Sequence, residues 1–404
     1  MSVEHRIHVR CGCGFAHASR EAEQSSSSSR PFAFAGSQRN YERDRQFAID
    51  HLALDATLDL DAKTLAGKAT LTIHRVDPQA TEIELDAIAF ELKSVTFNGK
   101  TADYVYDGRT LKLTVGPKEK KGTIVVHYAV TPRRGLYFLA PDEHVKDRPR
   151  QVWSQCQEED ARHFIPCHDK PHVKQTTEMK VKVPHGFYVL SNGELVSKDT
   201  PKSGAWTYHW KMNEPHPSYL LTLVAGEFAE ITAQAGKTPL AYLVPKSRKK
   251  DGERTFERTP DMVNWFGEVT GVTFPWNKYA QVVVSDFIFG GMENTTATTM
   301  YEHILLDARA AIDISSDELI AHELAHQWFG DYVTCRAWYE GWLNEGFATF
   351  FEHVWREKLL GRDEYELGLK VDLDAYLSEA HGRYRRAVVT QDFDSPLDLF
   401  DRHL

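Results

Sequence analysis

The stretches SSDELIAHELAHQWFG (residues 315–330) and WLNEGFATFFEHVWREKLLG (residues 342–361) carry the most specific pattern in this chain. Residues four positions apart lie on one face of a helix, so His322 and His326 can turn their rings towards one metal ion. Glu345 follows His326 after eighteen residues, which leaves room for a helix end, a loop and the start of a second helix. Two imidazoles, one carboxylate and an open position are typical of a catalytic zinc site, because structural zinc sites are closed and usually rich in cysteine. The sequence therefore predicts one zinc ion per chain, held by these three residues.

Two further carboxylates in these helices have predicted roles. Glu323 lies between the histidines and is placed to act on a metal-bound water rather than on the metal itself. Glu352 follows Glu345 by seven residues, two turns along the same face, and can accept the second N–H of a ligand histidine. A solvated helix carboxylate is the alternative interpretation of Glu352. A helix is expected around the motif, because Ser315 and Glu318 have the spacing of a capping box just ahead of it.

A glycine pair upstream of this motif predicts where a substrate peptide binds. It follows the apolar strand at residues 281–284 and belongs to the segment Gly290, Gly291, Met292, Glu293 and Asn294. Glycines without a Cβ let another backbone approach closely, so a peptide could pair there as an added strand. Glu293 would offer its carboxylate to the cationic terminal amine of that peptide. A fixed anion at a set distance from the metal indicates an exopeptidase, whereas the glycines considered alone would indicate an ordinary turn.

The motifs together resemble those of the gluzincin zinc aminopeptidases, a family that includes aminopeptidase N and the bifunctional leukotriene hydrolases. The resemblance extends over about residues 46–404. A further match is the set Ser154-Gln155-Cys156-Gln157, Arg162, Pro166-Cys167 and Asp169-Lys170-Pro171. The resemblance implies that Gln155 and Gln157 contact the substrate amine and the first side chain. The aminopeptidase N type has a glutamate where Gln157 stands, so Glu293 is left with more of the amine binding.

The rest of the chain predicts a leader and two domains. Residues 1–45 are poor in bulky apolar residues and are predicted to be a disordered, low-complexity leader. Residues 46–231 alternate apolar and polar positions, with hairpin signals at Asn98-Gly99 and Asp107-Gly108, and are predicted to form an all-β domain. Residues 232–404 add helical periodicity to a few strands, which indicates an α+β domain carrying the zinc site. The fold class is therefore mixed, and the resemblance implies a saddle-like β domain followed by a thermolysin-like catalytic domain.

Composition and charge argue against some classes of binding partner and favour one cellular compartment. The net charge of −10 argues against a nucleic-acid partner, and the absence of an apolar run of about eighteen residues argues against a membrane span. The lack of a signal peptide and the odd number of cysteines favour reduced thiols in a cytoplasmic protein. Cys11 and Cys13, with His8 and His17, invite a metal-binding interpretation, but such residues in a tail are more often incidental. The oligomeric state is not defined by the sequence.

Two interpretations of function remain open. The first is a zinc metallo-aminopeptidase that cleaves the N-terminal peptide bond of peptides with free N-termini, with Glu323 as general base on a zinc-activated water. The family also uses a tyrosine oxyanion donor in a Tyr-Glu-Lys-Gly-like motif, which does not occur between Glu345 and Leu404. The catalytic domain is therefore expected to be C-terminally incomplete, with uncertain turnover. The alternative is a non-catalytic or fragmentary peptide-binding member, and the intact metal ligands favour the enzyme.

Overall fold

The computed structural model describes Ile7–His8 and residues 31–404. The cluster of Cys11, Cys13 and His17 lies outside the described residues. Residues 31–45, which the sequence assigns to the leader, contact the folded part of the chain: the Asn40 side chain donates to Phe393 O at 2.6 Å. Composition cannot reveal such contacts, because their partners lie far away in sequence.

The N-terminal part of the described chain consists mostly of strands. They are β1 (Ile7–His8), β2 (Phe47–Asp59), β3 (Thr64–Arg75), β4 (Glu82–Asp86), β5 (Glu91–Phe97), β6 (Lys100–Thr101), β7 (Tyr104–Tyr106), β8 (Thr110–Thr114), β9 (Lys121–Val130), β10 (Gly135–Leu139), β11 (Gln151–Gln155), β12 (Lys174–Val183), β13 (Tyr188–Ser191), β14 (Glu194–Asp199), β15 (Trp206–Pro217) and β16 (Leu223–Gly226). Strand β1 pairs in parallel with residues 314–315. The other strands form an eight-stranded sheet in the order β14-β15-β12-β2-β3-β9-β5-β6, a four-stranded sheet β10-β11-β16-β13 and a three-stranded sheet β4-β8-β7.

Alternation of apolar and polar residues explains the long strands of the large sheet. In β2, Leu52, Leu54, Ala56 and Leu58 are buried, and the residues that alternate with them are partly or fully exposed, as the period of two requires. The predicted hairpin at Asn98-Gly99 joins β5 to β6, and both turn residues have positive φ, as a two-residue hairpin turn requires. The predicted hairpin at Asp107-Gly108 joins β7 to β8.

The C-terminal part combines a sheet with helices. Its strands are β17 (Phe228–Ala235), β18 (Thr238–Pro245), β19 (Tyr279–Val284), β20 (Gly291–Met292), β21 (Ala297–Tyr301) and β22 (Ile314–Ser315), and its helices are α1 (Lys249–Thr255), α2 (Thr259–Thr270), α3 (Ala310–Asp313), α4 (Asp317–Ala325), α5 (Trp342–Leu360) and α6 (Arg362–Gly382). Five strands form one sheet in the order β17-β18-β19-β21-β20, so β20 is an edge strand. A mostly β part followed by an α+β part confirms the predicted fold class. The domain boundary at residue 231 stays a prediction, and strand β17 spans it.

Strand β19 shows how the two parts are joined. Val282 and Val284 belong to an apolar cluster that includes the N-terminal sheets, whereas Val283 belongs to a second cluster that includes residues of α2, α4 and α5. The strand is buried along its whole length, as its sequence, apolar except for Gln281, predicts. The sheet therefore holds β20 and α4 in fixed positions relative to the N-terminal part. None of the helices in the described chain is both long and apolar enough to cross a membrane.

The start of α4 differs from the sequence prediction. The helix begins at Asp317, and its N-cap residue Ser316 donates its hydroxyl to Ile304 O at 2.7 Å instead of capping the helix. Ser315 Oγ accepts from the Asp317 N–H at 3.2 Å, and Glu318 pairs with Arg356 of α5. The predicted capping box is therefore wrong, because Ser315 lies one position before the N-cap and Glu318 pairs with Arg356, which is distant in sequence. Helix α5 ends at Leu360 before Gly361.

Candidate metal centre

Helices α4 and α5 bring together the three residues that the sequence assigns to zinc. His322 lies in α4, His326 directly follows its last residue, and Glu345 lies in the first turn of α5. The two Nε2 atoms of the histidines are 3.1 Å apart, and Glu345 Oε2 lies 3.4 Å from His322 Nε2 and 3.5 Å from His326 Nε2. All three side chains are buried. One oxygen and two nitrogen atoms therefore converge on one point inside the protein.

The hydrogen bond at Nδ1 of each histidine determines whether its Nε2 can bind a metal ion. His322 Nδ1 lies 2.7 Å from Glu352 Oε1, and His326 Nδ1 lies 3.0 Å from Phe329 O. Both partners are hydrogen-bond acceptors, so each Nδ1 carries a proton, and each ring in its neutral form directs an Nε2 lone pair inward. Two inward lone pairs beside a carboxylate oxygen form a donor set that fits a divalent zinc ion. The contact predicted for Glu352 is present, and its role remains a prediction.

The charges at this site shift the ionisation of its members. Burial lowers the pKa of His326, but Glu293 and Glu345 outweigh it and raise this pKa to about 9. Burial raises the pKa of Glu345, but His326 and His322 outweigh it and hold this pKa well below its usual range. Burial raises the pKa of Glu323 to about 8 against the opposing effect of the two histidines. The site therefore favours positive charge at its centre.

The glycine-rich segment lies beside the metal ligands at the edge of the sheet. Strand β20 pairs with β21 through Gly291 and Met292, and Gly290 O accepts from the Tyr301 N–H at 3.1 Å. The space in which a Cβ of Gly291 would stand is filled by Glu323, whose Cδ is 2.3 Å from that position. The predicted general base and the predicted substrate strand are therefore in direct contact.

Residues from the N-terminal part also lie beside the glycine-rich segment. Gln155, at the end of β11, is buried, and its Nε2 lies 3.2 Å from Met292 Sδ. Glu293 is buried too, and the Asn294 side chain donates to Thr299 Oγ1 at 3.2 Å. Among these residues, three buried side-chain oxygen atoms have no hydrogen-bond partner within residues 31–404: Gln155 Oε1, Glu293 Oε1 and Asn294 Oδ1. Gln157 lies two residues beyond β11, and its buried Nε2 is likewise without a partner among residues 31–404.

One residue of this region, Gln327, is not predicted from the sequence. Gln327, which follows His326, is completely buried, and its side-chain amide contacts the backbone of Glu293 and of Thr296. A polar residue next to a ligand histidine is the only signal that the sequence offers. That signal does not indicate which backbone groups the amide contacts.

Comparisons with known proteins indicate the family of this chain. The family profile described as Peptidase M1 N-terminal domain matches residues 39–220, and the profile described as Peptidase family M1 domain matches residues 254–403. Leucine aminopeptidase 2 of Aspergillus fumigatus is 32% identical over 323 residues, which cover 75% of this chain and 50% of that protein. Leukotriene A-4 hydrolase of Xenopus laevis is 28% identical over 333 residues, which cover 79% of this chain and 53% of that protein. The chain spans about half the length of the curated relatives it matches.

Solved structures share the same fold. Native leukotriene A4 hydrolase from Saccharomyces cerevisiae matches with a TM-score of 0.76 and 22% identity, over 88% of this chain and 57% of that chain. An M1 zinc metallopeptidase from Deinococcus radiodurans, bound to a Tyr-Ser-Ala substrate, matches with a TM-score of 0.70 and 23% identity. That match covers 89% of this chain and 80% of the other. At this level of identity the likeness shows the fold alone.

Proposed function

Because the chain belongs to peptidase family M1, we propose that it is a zinc metallo-aminopeptidase that hydrolyses the N-terminal bond of peptides. The observation that carries the proposal is the convergence of two Nε2 lone pairs and Glu345 Oε2 beside the Glu323 carboxyl group. His322, His326 and Glu345 would hold the zinc ion. When bound, zinc supplies a Lewis acid that polarises the scissile carbonyl group and lowers the pKa of water.

Glu323 is proposed as the general base. Its carboxyl group would take a proton from the attacking water and return that proton to the leaving amine. In the metal-free protein burial raises its pKa to about 8, and the positive charge of a bound zinc ion would favour the ionised form that accepts a proton. Its contact with Gly291 places the carboxyl group beside the edge strand on which the peptide would lie.

Glu293 and Gln155 are proposed to hold the free amine of the substrate. An ammonium group has three N–H donors, and these two residues present buried oxygen atoms that accept no hydrogen bond from residues 31–404. Gln157 is proposed to contact the side chain of the first residue of the substrate. Peptide backbone would pair with the free edge of β20, at Gly290 to Met292. An amine fixed beside the metal ligands would let only the first peptide bond reach Glu323.

The test of this function is hydrolysis of aminoacyl arylamides and short peptides by the purified chain loaded with one equivalent of zinc. The expected result is release of the first amino acid, abolished by a chelator and restored by zinc. If the zinc-loaded protein binds peptides by calorimetry but releases no amino acid, it is the non-catalytic peptide-binding alternative.

Zinc affinity is expected to fall as the pH falls. In the metal-free protein the pKa of His326 is raised to about 9, so below that pH zinc must displace a proton from the ring. The lowered pKa of Glu345 keeps that ligand ionised, so it adds no proton to this competition. One displaced proton corresponds to a loss of about tenfold in apparent affinity per pH unit below about pH 9. Competition with a chelating dye across this range measures the slope, and an affinity independent of pH would contradict the expectation.

Substitution of Glu352 is expected to weaken zinc binding without abolishing it. Glu352→Ala removes the acceptor of the His322 Nδ1–H, and loss of such a partner typically costs about 10–100-fold in metal affinity. Glu352→Gln keeps an oxygen acceptor and should lose less. The matched control is Glu357→Ala on the same helix, whose carboxylate pairs with Arg362 at the surface. Equal zinc affinity of Glu352→Ala and Glu357→Ala, measured by the same dye, would remove the proposed role.

A further inference from the structure

Gln327 connects the zinc helix to the segment that carries the amine-binding carboxylate. It follows the ligand His326, and its side chain is completely buried. Gln327 Nε2 donates to Glu293 O at 2.9 Å, and Gln327 Oε1 accepts from the Thr296 N–H at 2.9 Å. Its own backbone oxygen accepts from Trp276 Nε1 at 2.9 Å. Both ends of the amide are therefore used, and they bracket residues 293–296.

The bracketed turn has a conformation that needs such support. Thr296 has a φ of +66°, in the left-handed region that β-branched residues rarely adopt. Three other groups hold this residue: Gly193 N–H donates to its hydroxyl at 2.8 Å, Ala280 N–H donates to its carbonyl at 2.9 Å, and Lys278 Nζ contacts both oxygen atoms at 3.2 Å. These partners all lie outside α4. Among these contacts of Thr296 within residues 31–404, the one from Gln327 comes from the segment next to the proposed metal ligands.

We propose that Gln327 is a positioning residue that sets the distance between the Glu293 carboxylate and the metal ligands. The inference rests on the proposed function, in which Glu293 binds the substrate amine. Removal of the amide would free the Glu293 carbonyl from the residue beside His326 while the ligands and Glu323 stay in place. Misplacement of a reacting group by about 1 Å can cost on the order of 10²-fold in rate. Removal of the Gln327 amide should therefore weaken recognition of the free amine without loss of zinc.

Gln327→Met is the main variant, because methionine has a similar length and lacks both hydrogen-bonding groups. Gln281→Met is the matched control: Gln281 is also completely buried, and its amide donates to Thr259 Oγ1 of α2 at 3.1 Å, away from the turn. Zinc content and thermal unfolding are measured for each protein. Two further readouts follow: the ratio of kcat/KM for a peptide with a free and with an acetylated N-terminus, and the calorimetric affinities of leucine amide and its acetylated form.

The expected result is that Gln327→Met keeps one zinc ion but loses at least about tenfold of its preference for the free amine, in both ratios. Gln281→Met should keep the preference of the wild type, even if its unfolding temperature falls. Gln327→Asn, which is one methylene shorter, should lie between Gln327→Met and the wild type, and it serves as the test if Gln327→Met does not fold. An unchanged preference in a folded, zinc-loaded Gln327 variant would overturn the inference alone. A wild type that shows no preference for the free amine would overturn the proposed function, and this inference with it.

Discussion

Glu345→Ala is expected to leave the purified protein without stoichiometric zinc, whereas Glu323→Gln should retain one zinc ion and lose its turnover. The two glutamates are both buried and both belong to the same site, and Glu345 Oε2 lies 3.4 Å and 3.5 Å from the two Nε2 atoms, as a third ligand requires. Alanine at position 345 leaves two neutral imidazoles, which offer no negative charge to a divalent cation. Zinc sites of this type need three protein ligands, so the remaining pair should lose the ion on dialysis.

The glutamine variant at position 323 separates binding from chemistry. Glutamine preserves the shape of the side chain beside Gly291 but cannot accept the proton of the attacking water. General base catalysis contributes about 10²–10⁴-fold, and Glu323→Gln should lose activity within that range. Elemental analysis and arylamide hydrolysis are measured on the same preparations, with Glu357→Gln as the control for a surface glutamate. Full zinc in Glu345→Ala would overturn the ligand assignment, and full turnover by Glu323→Gln would overturn the base.

The metal ligands can be predicted from the sequence because their geometry is local. A separation of four positions between His322 and His326 places both rings on one face, and α5 begins where the apolar pattern of its residues predicts. The acceptor for the His322 Nδ1–H could be predicted for the same reason, since Glu352 lies two turns beyond Glu345 on one helix. Helical periodicity is thus sufficient to predict site residues whose positions are fixed by a single helix or by a pair of adjacent helices.

Contacts between distant segments could not be predicted in this way. Gln327 lies 34 residues from Glu293 and 31 residues from Thr296, and threonine gives no sign that a left-handed turn is needed there. The capping box failed for a related reason, because Glu318 pairs with Arg356, which belongs to another helix. The family resemblance implies that Gln155 contacts the substrate, and no pattern of spacing predicts its contact with Met292. Sequence patterns describe one element at a time, and a substrate cleft is built from several.

Glu293→Ala is expected to lose about 10²–10³-fold in kcat/KM on substrates with a free amine. The carboxyl group is 3% exposed, and burial raises its pKa, an effect that the nearby His326 opposes. Loss of one partner of a desolvated charge pair costs about 2–5 kcal/mol, and the stated loss in kcat/KM lies within that range. Glu293→Gln keeps the volume and one oxygen acceptor but removes the charge, so it should recover only part of the loss. Zinc content should be that of the wild type in both variants.

The strongest form of this test combines Glu293 with Gln327. If Gln327 acts only by placing the Glu293 carboxylate, Gln327→Met should have little further effect once that carboxylate is absent. The double variant Glu293→Ala with Gln327→Met should then lose much less than the product of the two single losses, because coupled residues are not additive. Gln281→Met, combined with Glu293→Ala, should show independent losses. Equal cleavage of free and acetylated peptides by the wild type would remove the basis for amine binding by Glu293, and strict additivity of the Gln327 pair would assign that residue a role unrelated to the carboxylate.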